Sequence, residues 1–350
     1  MKKIINFIVL SLCILSLASC KDDNSGTYNY DTTSNVKIVS SDITFTAAGG
    51  NGTIQVEAPG AITASADQAW CTVAVSGSTV NVTVPELDKL EGRSSLITIK
   101  SGSESTSVTA SQAGFIFDLS AGSSIMGDDT QHTLTYSLRH TLPITIKQNK
   151  DWYKATLEGD SLKISYTENA TGHPRFDYLY YKCGTVNDSI RVGQYEFNKD
   201  IAGDYAFYGY SISSRKDSYL NATLSMDKTG AVTINFTDFN WSLPVTFDYN
   251  KASLSIFGGV GMGTFTSGST SYNVSTCFWD GDKGYLTWSS EVSYTATFDY
   301  DEGESTTYAP FMDNGSWSGY NINILRFEYY LGTSRKGYLL AYMNPTLIHF

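Results

Sequence analysis

Four histidines, seven prolines, five cysteines and 24 basic residues in 350 leave little material for several kinds of chemistry. His132, His140, His173 and His349 have no metal-ligand spacing, so neither a catalytic zinc nor any other cofactor is expected. Cys13 and Cys20 lie near the start of the chain, whereas Cys71, Cys183 and Cys277 fall in three separate stretches. No disulfide framework follows from that spacing, and the last three read as small buried apolar side chains. Basic residues are outnumbered by 35 acidic ones, a net charge of −11 that repels phosphate backbones and excludes nucleic acid as an expected partner. Helical periodicity is also missing. Beyond the first 20 residues no window repeats apolar residues at i, i+3, i+4 and i+7, while Val, Ile, Thr, Tyr and Phe alternate with polar residues throughout. The chain is expected to be all-β.

The one long apolar run is Ile4 to Leu17, preceded by Lys2-Lys3 and followed by Ala18-Ser19-Cys20. Residues 1–19 therefore read as a signal peptide, too short in its apolar part to remain as a membrane span. Leu17-Ala18-Ser19-Cys20 resembles the lipobox of bacterial lipoproteins, which implies cleavage before Cys20 and lipidation of its thiol. Lys21-Asp22-Asp23-Asn24 resembles the acidic export signal of Bacteroidetes surface lipoproteins, implying a lipid-anchored protein of the outer membrane exposed on the cell surface. Residues 20–36, rich in Ser, Thr, Asn and Asp, read as the lipidated cysteine and a flexible tether. Without Lys2 and Lys3 the mature chain would carry 22 basic against 35 acidic residues. Contact with the membrane is thus expected through lipid alone.

An offset of 82 residues places Trp70, Arg93 and Gln112 on Trp152, Arg175 and Gln194, and it also superimposes Gly77 on Gly159, Glu86 on Glu168 and Lys100 on Lys182. The offset marks a tandem repeat, residues 37–114 and 115–196. Short alternating strands such as Ile54-Gln-Val56 and Val80-Asn-Val82 sit between glycine turns, which suits a β-sandwich. A Trp before a strand, a Gly turn, an Arg opening the next strand and a last strand ending in Gln resemble the BACON domains of Bacteroidetes surface proteins. The resemblance implies two tandem immunoglobulin-like β-sandwiches that act as spacers in proteins of polysaccharide utilisation. The first copy departs from the family's pattern in having Leu87 where the second has Asn169, and the second ends Gln194-Tyr-Glu rather than Gln-x-Gly. The repeated Trp reads as a core plug and the repeated Arg as a tie to a loop carbonyl or carboxylate.

Residues 197–350 are different, with 31 aromatics among 154 residues and four of the six tryptophans. Alternation at Leu220/Ala222/Leu224, Val245/Phe247/Tyr249 and Tyr294/Ala296/Phe298 predicts eight or more antiparallel strands, hence a larger barrel or a second kind of sandwich. Ile201-Ala202-Gly203-Asp204-Tyr205 resembles the opening of lipocalin-like (calycin) barrels and leans the choice toward a barrel. Tryptophans beside Asp or Asn in loops suit a sugar ring, which stacks its C–H face on the indole while the polar neighbour takes hydroxyls. The glycan candidates are Trp279, Asp280, Asp282, Asp313, Trp317, Tyr320 and Trp241. Trp288, in phase with Leu286, reads as interior filler. Asp299, Asp301, Glu302 and Glu304 read as solvated charge rather than a glycosidase pair, and Gly258–Gly263 lacks the lysine of a phosphate loop and reads as a close-packed turn. The expectation is a non-enzymatic surface protein, without metal or catalytic residues, whose C-terminal module binds glycan. The rival expectation is an adhesive or structural lipoprotein binding a surface protein.

Overall fold

A computed structural model describes residues 34–350; the signal peptide, Cys20 and most of the tether lie outside the described residues. The described chain forms two compact units. The first comprises the chain up to Ile43 with Gly52–Val82 and Leu96–Thr109. The second comprises Thr44–Asn51, Thr83–Ser95 and Ala110–Phe350.

The 82-residue echo is an echo of strands. Residues 37–112 build two four-stranded sheets, one ordered Lys37–Asp42, Gly50–Glu57, Thr79–Val84, Thr72–Ser76 and the other Thr44–Phe45, Glu104–Gln112, Arg93–Ser101, Thr63–Ala66. Residues 117–194 repeat both orders, with Arg175–Cys183 and Val186–Gln194 displaced from their counterparts by the same 82 positions. Even the rare parallel pairing recurs, as Phe45 opposite Gln112 and Gly127 opposite Gln194. These are immunoglobulin-like sandwiches filled by alternate aliphatic residues, including Ile54, Val80 and Ile97 in the first and Ile164, Leu179 and Val192 in the second.

The shared Arg and Gln lock the end of each sandwich. The Gln112 amide donates to the carbonyls of Pro85 (2.8 Å), Thr46 and Ala47 (both 3.3 Å), while Arg93 Nε donates to Gln112 Oε1 at 2.8 Å. In the second copy Gln194 donates to Thr167 O at 2.9 Å, and Arg175 donates to Gln194 and, at 3.1 Å, to Thr167 O. Arg175 also lies over the half-buried Trp152 ring, 5.1 Å from its centroid. Where the copies differ, the backbone bond survives: Leu87 N–H donates to Ala47 O and Asn169 N–H to Asp129 O. The Leu87 side chain is buried, whereas Asn169 Nδ2 donates to Asp129 Oδ1 at 3.0 Å.

Asp129 in turn faces Asp200, which sits in the tight turn Phe197–Ile201 leading into the last module. Asp200 is 4% exposed, its Oδ2 accepts Glu196 N–H at 2.6 Å, and its Oδ1 has no hydrogen-bond partner. Burial, above all, pushes its carboxyl up to about 6. A raised folded-state pKa means the folded protein holds a proton that the unfolded chain releases, so this group lowers stability as pH rises from about 3.8 to about 6. Asp200→Asn is expected to remove that slope and to raise stability at pH 7 by about 1–3 kcal/mol. Urea denaturation at pH 4, 5, 6 and 7 reads both effects; an unchanged slope in the variant would refute the assignment.

The last module is a closed barrel with extra strands. Eight strands close it: Gly203–Ser211, Lys216–Met226, Val232–Phe236, Trp241–Asp248, Ser253–Phe257, Ser293–Thr297, Thr306–Asp313 and Ser334–His349. The last pairs with both the first and the seventh, Tyr205 lying opposite His349 and Pro310 opposite Thr346. A side sheet of Ile324–Leu331, Thr270–Asp280 and Gly261–Ser267, with Tyr285–Thr287 against Thr270–Asp280, extends from Ser334–His349. Aromatic residues fill the interior, among them Phe207, Phe236, Tyr294 and Phe298, joined by Phe278 and Phe327 from the side sheet. That filling accounts for twelve of the module's 31 aromatic residues.

Candidate functional site

The structure separates the glycan candidates. Trp241 is not a surface platform: it is 2% exposed, its indole N–H donates to Thr264 O at 2.9 Å, and its ring packs in the barrel core. Asp280 is likewise not available to a ligand. It is 1% exposed and accepts the backbone N–H groups of Lys283 (2.9 Å), Asp282 (3.1 Å) and Asn321 (3.1 Å). The Lys283 N–H, the strongest of these influences, helps hold its carboxyl below the ordinary value. Asp280 is a turn cap.

Trp317, Tyr320 and Asp282 gather around that cap. Trp317 is half-buried against the barrel core and stacks on Tyr320 with centroids 4.5 Å apart. Tyr320 also meets the edge of Tyr285 and lies 5.3 Å from Lys283 Nζ. Asp282 is exposed in the same turn, and Asp313 ends the strand that leads into the Trp317 loop. Trp279 stands apart on the side sheet, its half-buried ring 5.3 Å from the Arg326 guanidinium, which also stacks on Tyr338 at 4.2 Å. The acidic loop is committed to turns and an ion pair: Asp301 Oδ1 accepts Gly303 and Glu304 N–H groups, and Glu302 meets Lys150 at 2.6 Å.

Trp288 departs from its expected role. It is 38% exposed instead of filling the barrel, because it follows the short strand Tyr285–Thr287 appended to the side sheet. Its indole N–H donates to Glu328 Oε2 at 3.0 Å, and Glu328 is fully buried. Four further donors converge on that carboxylate: Tyr330 hydroxyl at 3.3 Å and Arg335 Nε at 2.6 Å on Oε2, Arg335 at 2.9 Å and Arg326 at 3.1 Å on Oε1. Arg326 itself is 6% exposed and its Nε has no hydrogen-bond partner. The bonds to Glu328 hold the Arg335 guanidinium above its ordinary value, and burial pushes the Tyr330 hydroxyl up to about 12. Glu328 therefore organises four side chains, three of which, Trp288, Tyr330 and Arg335, face one side.

Those side chains frame a cleft of about 460 Å³ lined by Trp288, Tyr330, Arg335, Asn273, Ser275 and two glycines, Gly259 and Gly332. Gly259 has φ +70°, and a Cβ there would stand 2.6 Å from Trp288 O. The glycine run thus has a packing purpose, since it lets the Trp288 segment approach. The cleft offers two aromatic side chains with amide, hydroxyl and guanidinium groups at its margin. A concave, mostly apolar surface with a few oriented polar groups is the usual build of a small-ligand site.

An all-β protein with two sandwiches, a barrel and an aromatic cleft is the class these features define. Residues 60–113 match the family described as "BACON: Putative binding domain, N-terminal". No curated protein matches the chain. Among solved structures, the I9–I11 tandem of titin is 8% identical, covering 86% of this chain and 96% of its own, with a TM-score of 0.34. The titin I-band fragment I67–I69 is 7% identical over 87% of this chain and 96% of its own, with a TM-score of 0.26. An endo-fucoidan hydrolase of glycoside hydrolase family 107 is 10% identical over 48% of this chain and 29% of its own, with a TM-score of 0.23.

Proposed function

We propose that the barrel is the glycan-binding module of a non-enzymatic, lipid-anchored cell-surface protein of the Bacteroidetes outer membrane, held away from the membrane by two BACON-like spacers. The observation that carries this reading is the Trp288–Tyr330 cleft. Both side chains are fixed by one buried carboxylate, so a sugar could stack on them without the cost of ordering them first. Asn273, Ser275 and Arg335 stand where hydroxyls need partners. The repeated Arg and Gln support the spacer role, because they bond to each other and to loop carbonyls within the sandwiches. The lipid anchor rests on Leu17-Ala18-Ser19-Cys20.

Affinity electrophoresis of the full chain through gels containing soluble plant, algal or host polysaccharides tests the reading. At least one polymer should retard it, and Trp288→Ala should weaken that retardation about tenfold, equivalent to about 1.4 kcal/mol. No retardation by any polymer, or full retention in the variant, counts against the site.

A second reading, binding of a protein partner, is favoured by exposed tyrosines on two adjacent barrel strands. Tyr208 lies opposite Tyr219, with Tyr210 two residues along, and they are 38%, 56% and 42% exposed. Tyrosine in such numbers is characteristic of interface cores.

A further inference from the structure

The strand Ser334–His349 shares one edge between two neighbours. Ile324–Leu331 pairs with it from Leu331 opposite Ser334 to Ile324 opposite Met343, and Thr306–Asp313 takes over from Pro310 opposite Thr346. The handover occurs at Asn344-Pro345. Asn344 has φ 43°, a left-handed conformation that costs a non-glycine residue energy, and Pro345 has no N–H to donate. The two neighbours part there, and a cleft of about 670 Å³ opens between them.

Its polar lining is Tyr294, Asp313, Asn321, Asn323, Asn344 and Thr346, and no Lys, Arg or His lines it. Asp313 Oδ1 is buried without a hydrogen-bond partner. Asn344 Oδ1 lies 3.4 Å from the Tyr294 hydroxyl, and Asn323 Oδ1 accepts Gly281 N–H at 2.9 Å, which leaves amide N–H groups of both asparagines to offer. The loop bearing Asn321 and Asn323 is held in place by Asp280, whose Oδ2 takes the Asn321 N–H, and by Asn344 N–H on Asn323 O at 2.9 Å.

We infer that this seam is a second ligand site, independent of the aromatic cleft, and that it takes a neutral hydroxyl-bearing molecule, a sugar unit or polyol. A buried carboxylate oxygen requires a donor, and side-chain amide N–H groups require acceptors. A hydroxyl supplies both. An ammonium would answer Asp313 but leave the amides without acceptors, and an anion would meet the Asp313 charge. One carboxylate among amides is a weak set for calcium, which favours several charged oxygens.

The test follows the asparagine side-chain amides by ¹H–¹⁵N correlation spectra of the full chain during titration with glucose, galactose, mannose, xylose or glycerol, and separately with calcium chloride. At least one of the hydroxylated compounds should shift the Asn323 and Asn344 amides with a Kd of about 1–10 mM, as suits a few hydrogen bonds. Asp313→Asn, isosteric, and Asn344→Gly, which relieves the left-handed backbone, should each weaken the response of the remaining amide about tenfold. The response should persist in Trp288→Ala, which disables the other cleft. The inference is overturned if no compound shifts these amides, if calcium chloride alone does, or if the shifts survive both seam variants unchanged.

Discussion

Replacing Glu328 with alanine is expected to lower the stability of the barrel by about 3–5 kcal/mol, the range seen when one partner of a buried charge pair is removed. Arg326 would be left 6% exposed without its counter-charge, and the Trp288, Tyr330 and Arg335 donors would lose their shared acceptor. Glu328→Gln keeps the shape and part of the hydrogen bonding, so its loss should be smaller. An apolar double substitution, Arg326→Met with Glu328→Leu, should recover much of the stability, because the guanidinium that needed compensation is gone. Urea melts followed by tryptophan fluorescence give the ranking. A Glu328→Ala midpoint within error of the parent would show that the network does not hold the side sheet in place.

Trp241→Ala should cost a similar amount, about 3–5 kcal/mol, through lost burial and the cavity left behind. The indole is enclosed on several sides: Phe239 stacks on it at 4.5 Å, Phe327 meets it at 6.0 Å, and a Cβ on Gly263, φ +146°, would stand 2.8 Å from Cδ1. Trp288→Ala removes one hydrogen bond from a half-exposed ring and should cost only about 1 kcal/mol. Thermal unfolding of the two variants side by side checks the contrast. The reverse order would mean that the inner and outer tryptophans have been exchanged.

How much of this was legible depends on how local each cause is. The sandwiches were readable because strand, glycine turn and Arg–Gln lock recur at a fixed offset, and each lock is made within its own copy. Trp241 could have been placed. It shares the phase of Leu243 and Phe247, so extending that alternation by two positions puts it inside, and only the preceding Asp238-Phe239-Asn240 suggested a loop. Trp288 could not, since its phase with Leu286 is real but belongs to an added strand rather than the barrel wall. Arg326 and Glu328 alternate with Leu325 and Phe327 as an ordinary solvent face would. What buries Glu328 comes from distant positions, Trp288 and Arg335 among them. The seam is less visible still, for it arises from two strands sharing one edge and leaves only Asn344-Pro345 as a trace.

That shared edge bears on how fast the barrel can form. Hairpins such as Lys216–Met226 with Val232–Phe236 need only a short loop closed, but Tyr205 must find His349 across nearly the whole module. Until it does, Ile324–Leu331 and Thr306–Asp313 have no common strand to divide between them, so ring closure and the parting of these two neighbours belong to one late event. Refolding should therefore be biphasic, with the sandwiches regaining structure first and the aromatic interior sealing last.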